Sequence, residues 1–323
     1  FQAEDGIRYS VASRGLGDVY KRQPLRYPGG KSKASTKMDQ YFPDFSKYKE
    51  YREPFLGGGS VAIHVTKTYP KLKIWVNDLY EPLVNFWQVL QADGKALTDA
   101  ILEQKIRHPD RETAKKLFTE SKELINDHEC SSIDRATAFY IVNKCSFSGL
   151  TEASSFSEQA SDSNFSLRGI EKLPEYSALI KKWRITNESY ETLMFNELRS
   201  KNNGVFMYLD PPYDIKDNLY GNKGSLHRGF DHDRFAKQCC IMSTDMMVSY
   251  NSDQLILERF NGWAAAEYDL TYTMRSVGKY MKDQKSRKEL LLLNYKPKPR
   301  AKIKFSYGEC HNYDKLSKAG LTT

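Results

Sequence analysis

The sequence predicts an α/β protein: a doubly wound sheet interrupted by a long, mainly helical insertion. Three observations carry this reading. Strand-like and helix-like segments alternate on either side of the insertion, the pattern of a sheet with helices on both faces. About residues 93–183 abandon that alternation for charged amphipathic helix, and then for a stretch rich in Ser, Gly and Asn. Two strand-like runs end in an acid, at Asp78 and at Asp210, where open α/β sheets hold their ligands.

The elements follow in order. Residues 1–23 lack apolar periodicity and carry scattered Gly and Arg. They resemble translated sequencing-adapter read-through and are expected to contribute nothing to the fold. The domain-like pattern starts near Pro24. Tyr48 to Arg52 is a polar candidate for the first strand. Residues 60–69 follow a glycine run and read as a helix. Leu72 to Asp78 reads as a strand. Residues 80–91 read as a helix with Leu83, Phe86, Trp87 and Leu90 on one face. After the insertion, the strand pattern returns at 204–210, a helix follows at about 231–242, and strands follow near 246–250, 264–272 and 289–295. The expected division is 24–92 with 184–295 as the sheet domain, 93–183 as the insertion and 296–323 as a basic tail.

Composition narrows the class. The chain has 323 residues, 40% hydrophobic and 28% charged, which suits one large domain or a domain with an insertion. No run of ~18 apolar residues offers a membrane helix, and no charged-then-apolar leader is present, so a cytoplasmic protein is expected. Five cysteines lack framework spacing, and Cys239 and Cys240 are adjacent, so reduced thiols and no zinc site are expected. Net charge is +8, of which residues 296–323 carry +5. The stretch 274–304 holds eleven Lys and Arg against Asp283 and Glu289, which points to a polyanionic partner.

Asp210-Pro211-Pro212-Tyr213 closes the most apolar strand. Its prolines remove backbone donors and fix φ, so the carbonyls here point outward. With the Asp210 carboxylate and the Tyr213 face, they form a clamp for a planar ring bearing an exocyclic amine. Gly57-x-Gly59-x-x-Ala62 precedes Asp78, which follows Gly57 by 21 residues. Glycines permit a tight strand-to-helix turn, and the acid can take ribose hydroxyls. This fits any adenosine-bearing cofactor, NAD or S-adenosylmethionine. Arg26-Tyr27-Pro28-Gly29-Gly30-Lys31-Ser32 fails as a phosphate loop, since Leu25 stands where the first glycine belongs. It supplies an aromatic and a cation beside a cofactor carboxylate.

These motifs in this order resemble the Dam-type (D12 class) DNA N6-adenine methyltransferases over about residues 24–295. The resemblance implies a Rossmann-like methyltransferase sheet, S-adenosyl-L-methionine as cofactor and duplex DNA as partner, in a restriction–modification setting. Cofactor contacts would fall on Tyr27, Lys31, Phe55, Asp78 and Asp210, around the Gly57 and Gly59 turn. Target-base residues would fall on Asp210, Pro211 and Tyr213, with Pro212 completing the motif. Residues 93–183 would be the target-recognition domain, with Phe147 and Ser148 in its reading hairpin. Arg26, Arg168, Lys282 and Lys285 would hold DNA. Ser148 and Glu152 stand where GATC-reading relatives carry longer donors, so a site other than GATC, or a relaxed adenine context, is expected. A monomer or weak dimer, with no metal, in a bacterial or phage-infected cell completes the expectation. A nicotinamide-dependent oxidoreductase, a non-catalytic nucleic-acid-binding relic and an RNA adenine methyltransferase stand as alternatives.

Overall fold

A computed structural model of the chain describes residues 23–27, 31, 35–147, 154–196, 204–213, 229–269, 288–297 and 305–306. Its first half runs α1 (Ser35–Met38), β1 (Glu50–Glu53), α2 (Ser60–Thr68), β2 (Lys73–Asn77), α3 (Glu81–Ala92), α4 (Gly94–Arg107), α5 (Arg111–Leu124) and α6 (Ser132–Cys145). The remainder runs α7 (Glu158–Ser163), α8 (Leu167–Ile170), α9 (Leu173–Ile180), β3 (Arg184–Thr186), α10 (Tyr190–Phe195), β4 (Val205–Leu209), α11 (His232–Ile241), β5 (Asp245–Asn251), α12 (Gln254–Arg259), β6 (Ala264–Asp269), β7 (Lys288–Leu293) and β8 (Phe305–Ser306).

The strands form one mixed sheet in the order β3-β2-β1-β4-β5-β7-β6-β8. Strands β3, β2, β1, β4 and β5 run parallel. β7 inserts antiparallel between β5 and β6, and the two-residue β8 pairs at the edge. Chain order reverses between β1 and β4, so the crevice outside their carboxyl ends is the place such sheets reserve for ligands.

Side chains of each strand alternate between two cores. Tyr51, Val76, Phe206, Tyr208, Leu291 and Leu293 face one, with Val61, Phe86 and Trp87 from α2 and α3. Val205, Met207, Leu209, Met246, Val248, Leu290 and Leu292 face the other, with Phe235 and Ala236 of α11 and Ile256 of α12. Helices therefore cover both faces, as the alternating sequence predicts. The helices of residues 94–180 join the first core rather than building their own: Leu97, Ile101, Phe118 and Phe139 belong to it. Caps delimit them. Asp93, Asp110 and Ser131 accept N–H bonds at the starts of α4, α5 and α6.

The polar first strand has a physical explanation. Arg52 donates to the carbonyls of Leu193 (2.7 Å) and Asn196 (2.9 Å) and lies over the Trp75 ring. Tyr51 donates to Glu53 at 2.6 Å. Each buried polar group is met from within, so polarity does not bar burial. Five elements have no counterpart in the sequence reading: α1, β3, α10, α12 and β8. All are short, and β3 is a three-residue edge strand.

The four described cysteines are free thiols, and among the described residues no helix is long and apolar enough to cross a membrane.

Candidate active site

The site begins with β4. All five of its residues are buried, which fixes it as a central strand between β1 and β5. Pro211 and Pro212 cannot donate to a neighbour, so pairing stops at Asp210. That puts Asp210 at the mouth of the crevice where strand order reverses.

Asp210 keeps 24% of its side chain exposed, yet its Oδ1 is buried and has no hydrogen-bond partner. The Lys31 ammonium lies 3.2 Å from that oxygen as an ion pair. Burial pushes the Asp210 carboxyl up to about 6; Lys31 opposes the shift and Glu289 adds to it. Lys31 is itself buried. It donates to the Tyr213 hydroxyl, lies 4.9 Å over the Tyr213 ring, and stands 3.4 Å from Glu289 Oε2. The Tyr213 hydroxyl in turn donates to Glu289 at 2.6 Å.

The glycine turn lies between β1 and α2. Gly59 precedes α2 with φ +69°, and a Cβ there would meet the Trp87 ring at 2.8 Å. Gly57 has φ +50°, and the Tyr27 ring covers it so closely that a Cβ would approach at 2.9 Å. The Gly57 N–H donates to Asp78 Oδ2 at 2.9 Å, so the two residues that spacing links are in direct contact. Tyr80 N–H takes the other Asp78 oxygen at 3.0 Å. Burial raises the Asp78 pKa against these bonds. Gly59 supplies no side-chain cap to α2, and the Glu53 carboxyl bonds the Ala62 N–H instead. Burial holds Glu53 well above the ordinary carboxylate range.

Phe55, at the exit of β1, stacks on Tyr190 with ring centroids 5.3 Å apart, and Phe230 and Phe235 meet it edge-on. The residues fit a cofactor with an adenosyl group. They offer an aromatic wall, a glycine turn lined by Tyr27, and two strand-end carboxylates with acceptor capacity left over. Among the described residues no cluster of three or more His, Cys, Asp or Glu is arranged to hold a metal ion.

Of the expected DNA contacts, Arg26, Phe147 and Arg168 are among the described residues. Arg26 spends its guanidinium on the Ser146 carbonyl at 2.7 Å, and its backbone pairs with the Asn143 amide. It thereby ties the first described segment to the end of α6. Two short stretches pair antiparallel here: Ser146 bridges Phe156, and Phe147 N–H donates to the Ser155 carbonyl. Phe147 is 43% exposed here. Arg168 is exposed on α8. Ser148, Glu152, Lys282 and Lys285 lie outside the described residues.

The geometry thus joins two of the motifs, through Lys31, at Asp210 and Tyr213. The family model for D12 class N6 adenine-specific DNA methyltransferases matches residues 27–274. The chain belongs to this family.

Curated relatives agree. The type II methyltransferase M.MjaIII of Methanocaldococcus jannaschii is 25% identical over 58% of this chain and 68% of its own. M1.LlaDCHI of Lactococcus lactis subsp. cremoris is 20% identical over 84% of this chain and 94% of its own. M.CviBI of Paramecium bursaria Chlorella virus NC1A is 22% identical over 84% and 98%. The methyltransferase site holds one residue that sequence reasoning missed. Glu289 reads as one of two acids in a basic stretch, and it is buried instead, facing Lys31 and Tyr213. The available signal was its place at the head of four consecutive leucines, where a charge is not solvated for nothing.

Proposed function

We propose that this methyltransferase transfers a methyl group from S-adenosyl-L-methionine to N6 of an adenine flipped out of duplex DNA, as a type II enzyme. The observation that carries the reading is Asp210. It is a strand-end carboxylate in the switch-point crevice, with one buried oxygen left unbonded and an aromatic ring beside it.

Adenine's amino lone pair is delocalised into the ring, so the nitrogen is a poor nucleophile. Asp210 Oδ1 and the Pro211 carbonyl would accept its two N–H bonds and favour a more sp³-like nitrogen as the C–N bond forms. Positive charge develops there, so acceptors aimed at it stabilise the transition state more than the ground state. Asp210, held near pKa 6, is ionised at neutral pH and basic enough to take the proton the nitrogen sheds. Tyr213 would stack on the base, and Pro212 fixes the turn that presents it. Stacking offsets part of the cost of extruding a base, a few kcal/mol.

When bound, S-adenosyl-L-methionine supplies an electrophilic methyl on a good leaving group. Tyr27, Phe55, Gly57, Gly59 and Asp78 would hold it, with Lys31 and Asp210 bordering its amino-acid end. The 93–183 helices would act as the target-recognition domain, with Phe147 as a wedge and Ser148 beside it. Arg26, Arg168, Lys282 and Lys285 would serve phosphates, which position a protein without reading sequence.

Long-read mapping of N6-methyladenine in DNA from cells expressing the chain tests the reading. Methylation at one short adenine motif other than GATC is expected, and none with Asp210→Ala. DNA without methylated adenine in both cases would refute it.

A further inference from the structure

We infer that Glu289 is a positioning residue for methyl transfer: it fixes the Tyr213 ring and draws the Lys31 ammonium off Asp210, leaving Oδ1 open to the substrate amine. This rests on the reading of Asp210 as the amine acceptor.

Glu289 stands on β7, opposite Asn251 of β5 and Tyr268 of β6, and is 2% exposed. Burying a carboxylate there is costly unless it is paired. Both of its described side-chain partners belong to the site. Tyr213 gives it the phenolic proton at 2.6 Å, and Lys31 stands 3.4 Å away. The Tyr213 oxygen also receives a Lys31 N–H. A phenol held on both its lone pair and its proton cannot swing, so its ring keeps one face turned to the crevice. Lys31 meanwhile stands between two carboxylates. Asp210 is the nearer of the two, at 3.2 Å against 3.4 Å, and without the charge at 289 its pull is no longer balanced from that side. The ammonium would then close on Oδ1 and occupy the oxygen that the adenine amine needs.

The groups facing Asp210 are Lys31, Tyr213 after β4, Glu289 from β7, and Glu53 and Tyr51 from β1. Glu289 raises the Asp210 pKa and Lys31 lowers it. Neutralising Glu289 removes the first influence and strengthens the second, so the acidic limb of the rate profile should move to lower pH.

The test is steady-state kinetics of the full chain on the mapped duplex, against pH, for Glu289→Gln, Glu289→Asp and Asp210→Ala. Glu289→Gln should lower kcat by about tenfold to a hundredfold, the scale of a small misplacement. KM for S-adenosyl-L-methionine should rise less than kcat falls, since only the Lys31 and Asp210 side of the donor's contacts is disturbed. Its acidic limb should shift down. Glu289→Asp keeps the charge and should return the limb towards wild type while recovering part of kcat. An unmoved limb with wild-type kcat in Glu289→Gln would overturn the inference. So would loss of the folded state in both Glu289 variants, which would make the residue structural. An active Asp210→Ala would instead refute the underlying acceptor reading.

Discussion

Two strand ends of this methyltransferase carry the same side chain in opposite conditions. At the end of β2, Asp78 has both oxygens bonded by backbone N–H groups, from Gly57 and Tyr80. At the end of β4, Asp210 has a buried oxygen with no hydrogen-bond partner and the Lys31 ammonium 3.2 Å away. Burial raises the pKa of both, to about 6 for Asp210. Asp78 holds a loop in shape and can lend its spare lone pairs to a hydroxyl. Asp210 is left incomplete, which suits the proposed role of accepting a substrate amine. A buried acid left unsatisfied weakens the fold, and such groups concentrate where chemistry is done.

Substitution should separate the two. Asp210→Ala removes the acceptor and should cut the methyl-transfer rate at least ~10²–10³-fold, the cost of losing one preorganised polar contact. Melting temperature and DNA binding should stay close to wild type. Asp78→Ala should act differently, weakening S-adenosyl-L-methionine binding by about 1–3 kcal/mol in calorimetry and lowering the melting temperature as the glycine turn loosens. Equal behaviour of the two variants would dissolve the distinction.

The same contrast has a pH signature. The Asp210 pKa is raised, so the acceptor is ionised above about 6 and protonated below it. The kcat should be flat near pH 8 and fall by about tenfold per unit below the pKa. A flat profile to pH 5 would mean that Asp210 need not ionise. Phe147→Ala, a smaller change at a distance, should reduce activity on duplex more than on single strands, because a wedge matters only where a base must leave a stack. The smallest effect belongs to the first residues. Removing 1–22 should leave activity and melting temperature unchanged, whereas Gln23 covers Gly58 and belongs with the fold.

Much of this was legible because the sheet is driven by simple patterning. Val205 to Leu209 is apolar on both faces, as a strand covered by helices on both sides must be, and the adjoining prolines mark its end. The Gly57–Asp78 spacing marks two residues for one ligand site, and the fold brings them into direct contact at 2.9 Å. What escaped was set by tertiary partners. Arg184 to Thr186 is an edge strand too short for a period to show. The sequence predicts the strand near Glu50 to Glu53, but not why a polar run is buried there: its partners, such as the Leu193 carbonyl, lie far along the chain. Glu289 looked like a surface charge because nothing local reveals that Tyr213, 76 positions earlier, donates to it.

The central claim is that the open oxygen of Asp210 receives the adenine amine. Single-turnover transfer of a tritiated methyl from S-adenosyl-L-methionine to the mapped duplex tests it most directly, comparing wild type with Asp210→Ala at saturating DNA. The account predicts a rate constant lowered at least ~10²-fold with DNA affinity within about threefold of wild type. An unchanged rate constant, or a loss explained wholly by DNA affinity, would contradict it.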